Sequence, residues 1–414
     1  MRRRTGEKPS PGRIVLFMTA SSMLRELRTR FAPIIETIAA NSLQHEADRS
    51  HLFDEVRALK EAGFGALRLD VADGGSGASL EQLFALLIDL AAADSNIPQI
   101  WRIHIAFVED QLGHETGARW RRELASNQFF GGAWAETGGA TFVDLGTTLT
   151  RGDDGLVLNG TKYYSTGSLY SDWISILVPL NGPTDLVTAL VRTDAPGVRL
   201  DDDWFGIGQR LTGSGTTVLT DVAVNDDDYY PFTEHVPYGE ALVQLVHLAT
   251  LAGIARAAHT DVVAALRART RVYPAGLSSV PRNDPQYQEI VGRIGAVASA
   301  TEASVLWCAR QLDEVVEALD AGDADAAERV AAVTVAVFEA QVTVTEQTLE
   351  AATLIYDVLG SSALERTTLL DRHWRNARTL TSHNPRAYKA RIAGGWHLNG
   401  TDPVLALLGA IAQH

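Results

Sequence analysis

The sequence predicts an α+β chain built as an N-terminal helical domain, a central antiparallel β domain and a C-terminal four-helix bundle. Three observations carry this. From residue 22 to about 128, apolar residues recur at intervals of three and four, the period of an amphipathic helix. From about 129 to 237 the segments shorten, and β-branched runs alternate with Gly-containing turn dipeptides. From 238 onward long Ala-rich helical runs return with short connections between them.

The totals bound the function. The chain has 414 residues, too many for one small core. It carries 36 Lys plus Arg against 51 Asp plus Glu, a net charge of −15. A surface this acidic argues against non-specific nucleic-acid binding and against an anionic membrane surface. Cys308 is the one cysteine, which excludes an internal disulfide and a Cys-rich zinc site, and no metal site is expected. Residues 1–21 are basic and then briefly apolar over Ile14–Met18, with Pro9 and Pro11 before that run. They read as a disordered N-terminus rather than a signal peptide. No run of about 18 apolar residues is present, so no membrane span is expected and the cytoplasm is the natural compartment.

Taken in order, Leu24, Leu27, Phe31, Ile34, Ile35 and Ile38 mark a first helix, and HLFDEVRALKEAG a second, capped by Asp48 or Ser50 and closed at Gly63. LRLDVADGGSGASL lacks the strand context and the lysine of a phosphate-binding loop and reads as a turn. SLEQLFALLIDLAAADS is apolar nearly all round, which predicts burial on several sides. IWRIHIAFVEDQLG is a further helix. Its His104 is alone on an apolar helix, which on residue type reads as core. In the β domain, Asp154-Gly155 and Asn159-Gly160 are hairpin-turn dipeptides, and WISILVPL, LVTALVRT and TTVLTDVAV are strands. TGGAT at 137–141 and LTGSGTT at 211–217 bring backbone amides near a ligand or are plain turns. Three long helices follow, one with Asp284 as cap and Pro285 in its first turn, one ending at Gly360, and a last helix starts near Leu364.

That last helix runs into the chain's densest polar stretch, Asp371–Gly395. Arg372, Arg375 and Arg378 form one basic stripe; Thr379, Thr381, Ser382, His383 and Asn384 follow, and Pro385 ends or kinks the helix. Residue types leave two readings open: a basic surface helix with a loop after it, or a site loop spanning 379–395.

The order of the blocks and several motifs resemble the acyl-CoA dehydrogenase superfamily along nearly the whole chain. DVADGGSGAS resembles its Gly-Gly-x-Gly turn, GGAWAETGGATFVD its first flavin-contacting strand, GLVLNGTKYYSTGSLYSDW its second, and DWFGIGQRLTGSGTTVLTDVAV the pair closing the β domain. The chain departs where a dehydrogenase of the commonest arrangement places its catalytic Glu: the segment is Ser382-His383-Asn384-Pro385, with no carboxylate to act as general base. WRNARTLTSHNPRAYK and YSTGSLYSDW instead resemble flavin-dependent monooxygenases of the dibenzothiophene monooxygenase type on this fold.

The resemblance implies reduced FMN, favoured over FAD, supplied by a separate flavin reductase. It also implies O2 and a C4a-(hydro)peroxide that oxygenates a small S-, N- or aromatic-carbon substrate. His383, Asn384 and His104 are the catalytic candidates it points to, with His383 as a donor toward developing charge. Trp134 and Ala135 fall on the strand lining the pyrimidine side, Tyr164 flanks the ring, Thr166 meets its N5 edge and Trp204 walls the pocket. Arg271 and Arg282 match residues that reach the flavin phosphate, often of a neighbouring subunit, and Ser361 and Ser362 a flavin-contacting turn. Two departures are Leu380, where relatives carry a further histidine, and Ser362, where the monooxygenase type can carry Arg. A homotetramer is expected. The alternatives are an FAD-dependent acyl-CoA dehydrogenase with a displaced base and an inactive flavin-fold scaffold.

Overall fold

The structure, a computed structural model, describes residues 12–114, 117–137, 144–153, 155–182 and 185–408, with side chains from residue 22 to 407. Five helices come first: α1 (Gly12–Asp48), α2 (Phe53–Glu61), α3 (Leu80–Ala93), α4 (Asn96–Gly113) and α5 (Ala118–Ala125). The first helix reaches back to Gly12, into the stretch expected to lack order up to residue 21. No Gly or Pro interrupts residues 13–32, so nothing in that sequence stops the helix. Residues 1–11 lie outside the described residues.

The expected cap of α2 is not used. Asp48 closes α1, Leu52 stands at the N-cap without a side-chain bond, and the Ser50 hydroxyl lies 2.9 Å from His45 Nδ1. Helix α3 starts on a Ser79–Gln82 capping box, and its Leu80 and Glu81 amides also donate to the Asp313 carboxylate. Ten of its residues are buried, in keeping with its all-round apolar sequence.

The β region is two four-stranded sheets face to face. One has the order β1 (Phe130–Ala133), β4 (Trp173–Pro179), β5 (Leu186–Arg192), β8 (Tyr229–Pro231). The other has β2 (Thr148–Gly152), β3 (Gly155–Lys162), β7 (Thr217–Val224), β6 (Val198–Leu200). Leu149, Leu158, Ile174, Ile176, Val187 and Val222 fill the space between them. Pairing is antiparallel except between β1 and β4, which run parallel with Phe130 opposite Trp173. That parallel pair needs a long crossover, and the chain makes it by laying β2 and β3 in the opposite sheet first. The β2–β3 hairpin turns between Gly152 and Gly155, and Asp154 lies outside the described residues, as do residues 138–143, which include most of TGGAT.

Helices α6 (Gly239–Ala268), α7 (Pro285–Ala321) and α8 (Ala326–Leu359) pack on one another, and α3 covers α6 and α7. Helix α6 is long and apolar enough to cross a membrane, but 83% of that window is buried inside the protein. Its Leu242, Leu245, Leu248 and Leu251 are all essentially inaccessible. Each such leucine contributes about 1.5–3 kcal/mol, which makes α6 the core of the bundle. Asp284 caps α7 by accepting from the Gln286 amide, with Pro285 at the first turn, and α8 ends at Gly360, whose φ of +65° with ψ of −156° suits only glycine.

The fourth position of the bundle differs from the expected single helix. After 3-10 turns at Gly360–Leu364 and Arg366–Thr368, and left-handed Leu369, the helix starts only at Asp371. It then breaks into α9 (Asp371–Thr381) and α10 (Arg386–Asn399), followed by α11 (Pro403–Leu408). Pro385 causes the break, because it has no N–H and disfavours helical backbone at Asn384. Helix α9 lies against α6 and α8, and α10 against α8.

Candidate functional site

Five segments converge where the helices meet the β region. The first is the pairing of β1 with the chain leaving β3. The Gly132 amide donates to the Thr166 carbonyl at 3.2 Å, and the Tyr163 amide to the Ala135 carbonyl at 2.9 Å. The strand edge of one sheet is thereby tied to the end of the other. A Cβ on Gly132 would come within 2.7 Å of Ile103 on α4, and one on Gly167 within 2.5 Å of the Ile100 carbonyl. These two glycines let α4 lie directly on the strand and the turn.

Around this seam stand the sequence-derived candidates. Trp134 donates its indole N–H to Ser175 at 3.1 Å. The Thr166 hydroxyl lies 2.9 Å from Ser214 in a buried chain that continues to Thr212. Tyr164 stands half-exposed and edge-on to Trp204, with ring centroids 5.5 Å apart. Trp204 is fixed by donating to the Gln209 carbonyl at 2.8 Å, while the Gln209 amide donates to Asn376 on α9 at 2.7 Å. Beside it Phe205 and Ile207 expose 79% and 57% of their surfaces, an apolar platform open to a planar partner.

The loop after α9 brings His383 over α6, where its ring meets His247 at a centroid distance of 4.5 Å. His383 is open to water on one side and crowded by protein on the others, as at the wall of a cleft. That crowding, then the charges of Arg102 and Lys389, hold its imidazole below the usual histidine range. His247 is buried, and desolvation, His383 and Arg102 push it well down. Neither nitrogen of the His247 ring has a protein partner among the described residues. Lys389 pairs with Glu240 at 2.8 Å and stacks 3.8 Å over Phe338. On α4, Arg102 makes no ion pair among the described residues, and its Nε is buried without a partner. Asn384 is half-buried beside His383.

His104 is not in this cleft. Its Nε2 bonds the Gly65 carbonyl at 2.9 Å and its Nδ1 accepts from the Phe130 amide at 3.2 Å. Burial pushes it down to about 4, so it is neutral, and with both nitrogens engaged it ties α4 to β1. It sits two residues from Arg102, on the other face of the same helix. The basic stripe divides likewise. Arg372 pairs with Asp261, and Arg375 with Glu46 at 2.7 Å and Asp371 at 2.7 Å, so both fasten α9 to its neighbours.

Arg271, Arg282, Ser361 and Ser362 are exposed and lie at the far end of the bundle, where Arg269 joins α6 to the end of α8. From His247 to that end α6 climbs roughly 30 Å at ~1.5 Å per residue, so one chain does not bring these residues to the cleft. The small, partly open cavity between α1 and α9, about 30 Å³ and lined by Glu46, Asp94 and His373, has room for about one water and no substrate.

Sequence reasoning passed over Arg102, His247, Glu240 and Lys389. The one available signal was charge or imidazole inside apolar helical runs, WRI and VHL.

The chain and its fold match known proteins. Residues 133–222 match the family model of the acyl-CoA dehydrogenase middle domain, and residues 245–386 that of the acyl-CoA dehydrogenase C-terminal domain. The chain is 28% identical over 371 residues to dibenzothiophene monooxygenase of Mycolicibacterium goodii, covering 85% of this chain and 88% of that one. It is 26% identical over 361 residues to the probable FMNH2-dependent monooxygenase SfnC of Pseudomonas putida, covering 84% and 88%. The crystal structure of FMN-bound TdsC from Paenibacillus sp. A11-2 superposes with a TM-score of 0.82 at 25% identity, covering 93% and 98%. The chain belongs to the acyl-CoA dehydrogenase superfamily. Within it, the chain falls in the branch of flavin-dependent monooxygenases rather than among the dehydrogenases.

Proposed function

We propose that the chain is the oxygenase of a two-component system. It takes reduced FMN from a separate NAD(P)H-dependent flavin reductase and uses O2 to oxygenate a small substrate at sulfur, nitrogen or aromatic carbon. The observation that carries this is the His383–His247 pair at the end of α9, with Glu240, the nearby carboxylate, already held by Lys389. Two neutral imidazoles can donate hydrogen bonds to developing charge, while Glu240, the carboxylate beside them among the described residues, is engaged by Lys389 rather than ready to take a proton from a thioester substrate.

The residues present fit a flavin. A planar ring with apolar faces and a polar rim suits the Tyr164–Trp204–Phe205 platform, and the unpartnered nitrogens of His247 suit its polar neighbourhood. Trp134, Ala135, Tyr164, Thr166 and Trp204 would hold the ring. Arg271, Arg282, Ser361 and Ser362 would hold the phosphate of a neighbouring subunit's cofactor. Their distance from the cleft and the exposed Tyr273 and Leu277 beside them support a homo-oligomer, with a tetramer as the family's form. When bound, reduced FMN supplies the two electrons with which O2 gives one oxygen atom to the substrate and the other to water. The protein's part is to orient both partners, exclude water and place His383 as donor. An acidic, reductase-dependent enzyme of this kind fits the cytoplasm.

The test is to mix the protein with anaerobically reduced FMN, add ¹⁸O2, and follow flavin absorbance and label in sulfide, amine and phenol candidates. Slowed flavin reoxidation with one labelled oxygen in a product supports the reading. Reoxidation at the free-flavin rate with no labelled product ends it. FAD retained on purification and bleached by an acyl-CoA would establish the dehydrogenase alternative.

A further inference from the structure

Arg102 stands apart from the other well-buried cations of the molecule. Arg68 is bound to Glu109, Lys162 to Glu136, Lys389 to Glu240 and Arg372 to Asp261. Arg102 has no carboxylate within ion-pair distance among the described residues, and its Nε is sealed from water with nothing accepting from it. The nearest compensating charge is Glu240, whose Oε1 already accepts from Lys389 and Gln244. A guanidinium keeps its proton even here, though burial pushes it down to about 10. An unpaired charge in a desolvated setting is unfavourable unless something of opposite sign completes it. Close to it stands His247, neither of whose ring nitrogens has a protein partner among the described residues. Arg102 keeps part of its surface, and His383 more of it, open to water.

We infer that the cleft takes a substrate carrying an anionic group, a carboxylate or an oxidised-sulfur acid, seated on the Arg102 guanidinium beside His247 and His383. This rests on the monooxygenase reading for its chemistry but not for the anion itself. Arginine presents parallel N–H donors that match two oxygens of such a group, and a neutral imidazole adds one more donor. The anion would fix which end of the substrate faces the oxygenating side of the cleft, so the site would discriminate charge before shape.

The experiment compares probes of the same shape with and without a negative charge, acetate against acetamide and benzoate against benzamide. Their binding to the whole protein is followed by thermal shift and titration calorimetry, with wild type, Arg102→Gln and Arg102→Lys. The expected result is stabilisation by the anions only, loss of at least about tenfold in their affinity in Arg102→Gln, and partial retention in Arg102→Lys. Ligand-free Arg102→Gln should melt at or above the wild-type temperature, because it removes an unpaired buried charge. Equal binding of acids and amides overturns the proposal, and so does a lowered melting temperature in Arg102→Gln, which would make Arg102 a structural cation. If Arg102→Gln weakens FMN but not riboflavin, the guanidinium serves the cofactor phosphate, and the proposal fails. Charge-selective probe binding in a protein with no affinity for FMN would keep the anion site and remove the monooxygenase reading.

Discussion

His247 and His383 face each other with ring centroids 4.5 Å apart, one buried on α6 and one on the loop after α9. His383 makes His247 harder to charge, and Arg102 makes both harder to charge. The pair is therefore neutral at pH 7 and stays so as the pH falls below the ordinary histidine value near 6.5.

Product formation should follow that neutrality. Wild-type oxygenation, measured with saturating reduced FMN, is expected to stay flat as the pH falls from ~8 through ~6.5, where an ordinary histidine would titrate, and to decline only in more acidic solution. His383→Ala should lower coupled product formation by about 10²–10³-fold, the usual effect of losing one donor to developing charge, with FMN affinity nearly unchanged. A product assay beside flavin titration separates the two.

His104 governs acid stability instead. Its folded value of about 4 lies below the ordinary 6.5, so unfolding takes up a proton between those values. The stabilisation from its neutral state is complete above pH 6.5 and is lost as the pH falls toward 4, on the order of 3 kcal/mol in total. Urea unfolding of wild type and His104→Gln across that window should show a flatter slope in the variant.

Buried Lys162 and Glu136 are joined at 2.6 Å, and Glu136 also accepts from the Gly146 and Thr147 amides. Burial would raise the Glu136 carboxyl, but Lys162 and those amides hold it below the usual range. Lys162→Met takes away the charged partner of this partly buried carboxylate while the two amides remain, and should cost about 1–3 kcal/mol. A double variant, Glu136→Gln with Lys162→Met, should recover part of that loss in a thermal melt.

Subunit mixing tests the split between cleft and bundle end. His383→Ala and an Arg271→Ala/Arg282→Ala variant should each be nearly inactive. Mixed and allowed to exchange, they should regain a fraction of wild-type turnover, because some sites then draw both intact parts from different chains. No recovery despite proven exchange, by mass spectrometry of the mixed oligomer, would place the phosphate elsewhere.

Much of this was legible in the sequence because its signals are local. The long helices follow an unbroken apolar period, the strands follow β-branched runs between turns, and the break before Pro385 is chemistry of a single residue. The parallel β1–β4 pair was not legible, since it joins residues about 40 apart and no local pattern encodes it. Helix α4 misled for another reason. Both of its faces are apolar enough to be core, so spacing does not say whether His104 or Arg102 turns to the cleft. The partner groups decide that, and they come from Gly65 and Phe130.

The gap between α9 and α10 has a bearing on how such a chain diversifies. A continuous helix would carry residue 383 around its axis by about 100° with every inserted or deleted residue, and would drag the whole bundle seam with it. The four residues Ser382–Pro385 sit outside both helices, so their length and composition set the reach of His383 while α9 and α10 keep their own contacts. New specificities can thus be sampled at this joint by small insertions, with the scaffold left standing.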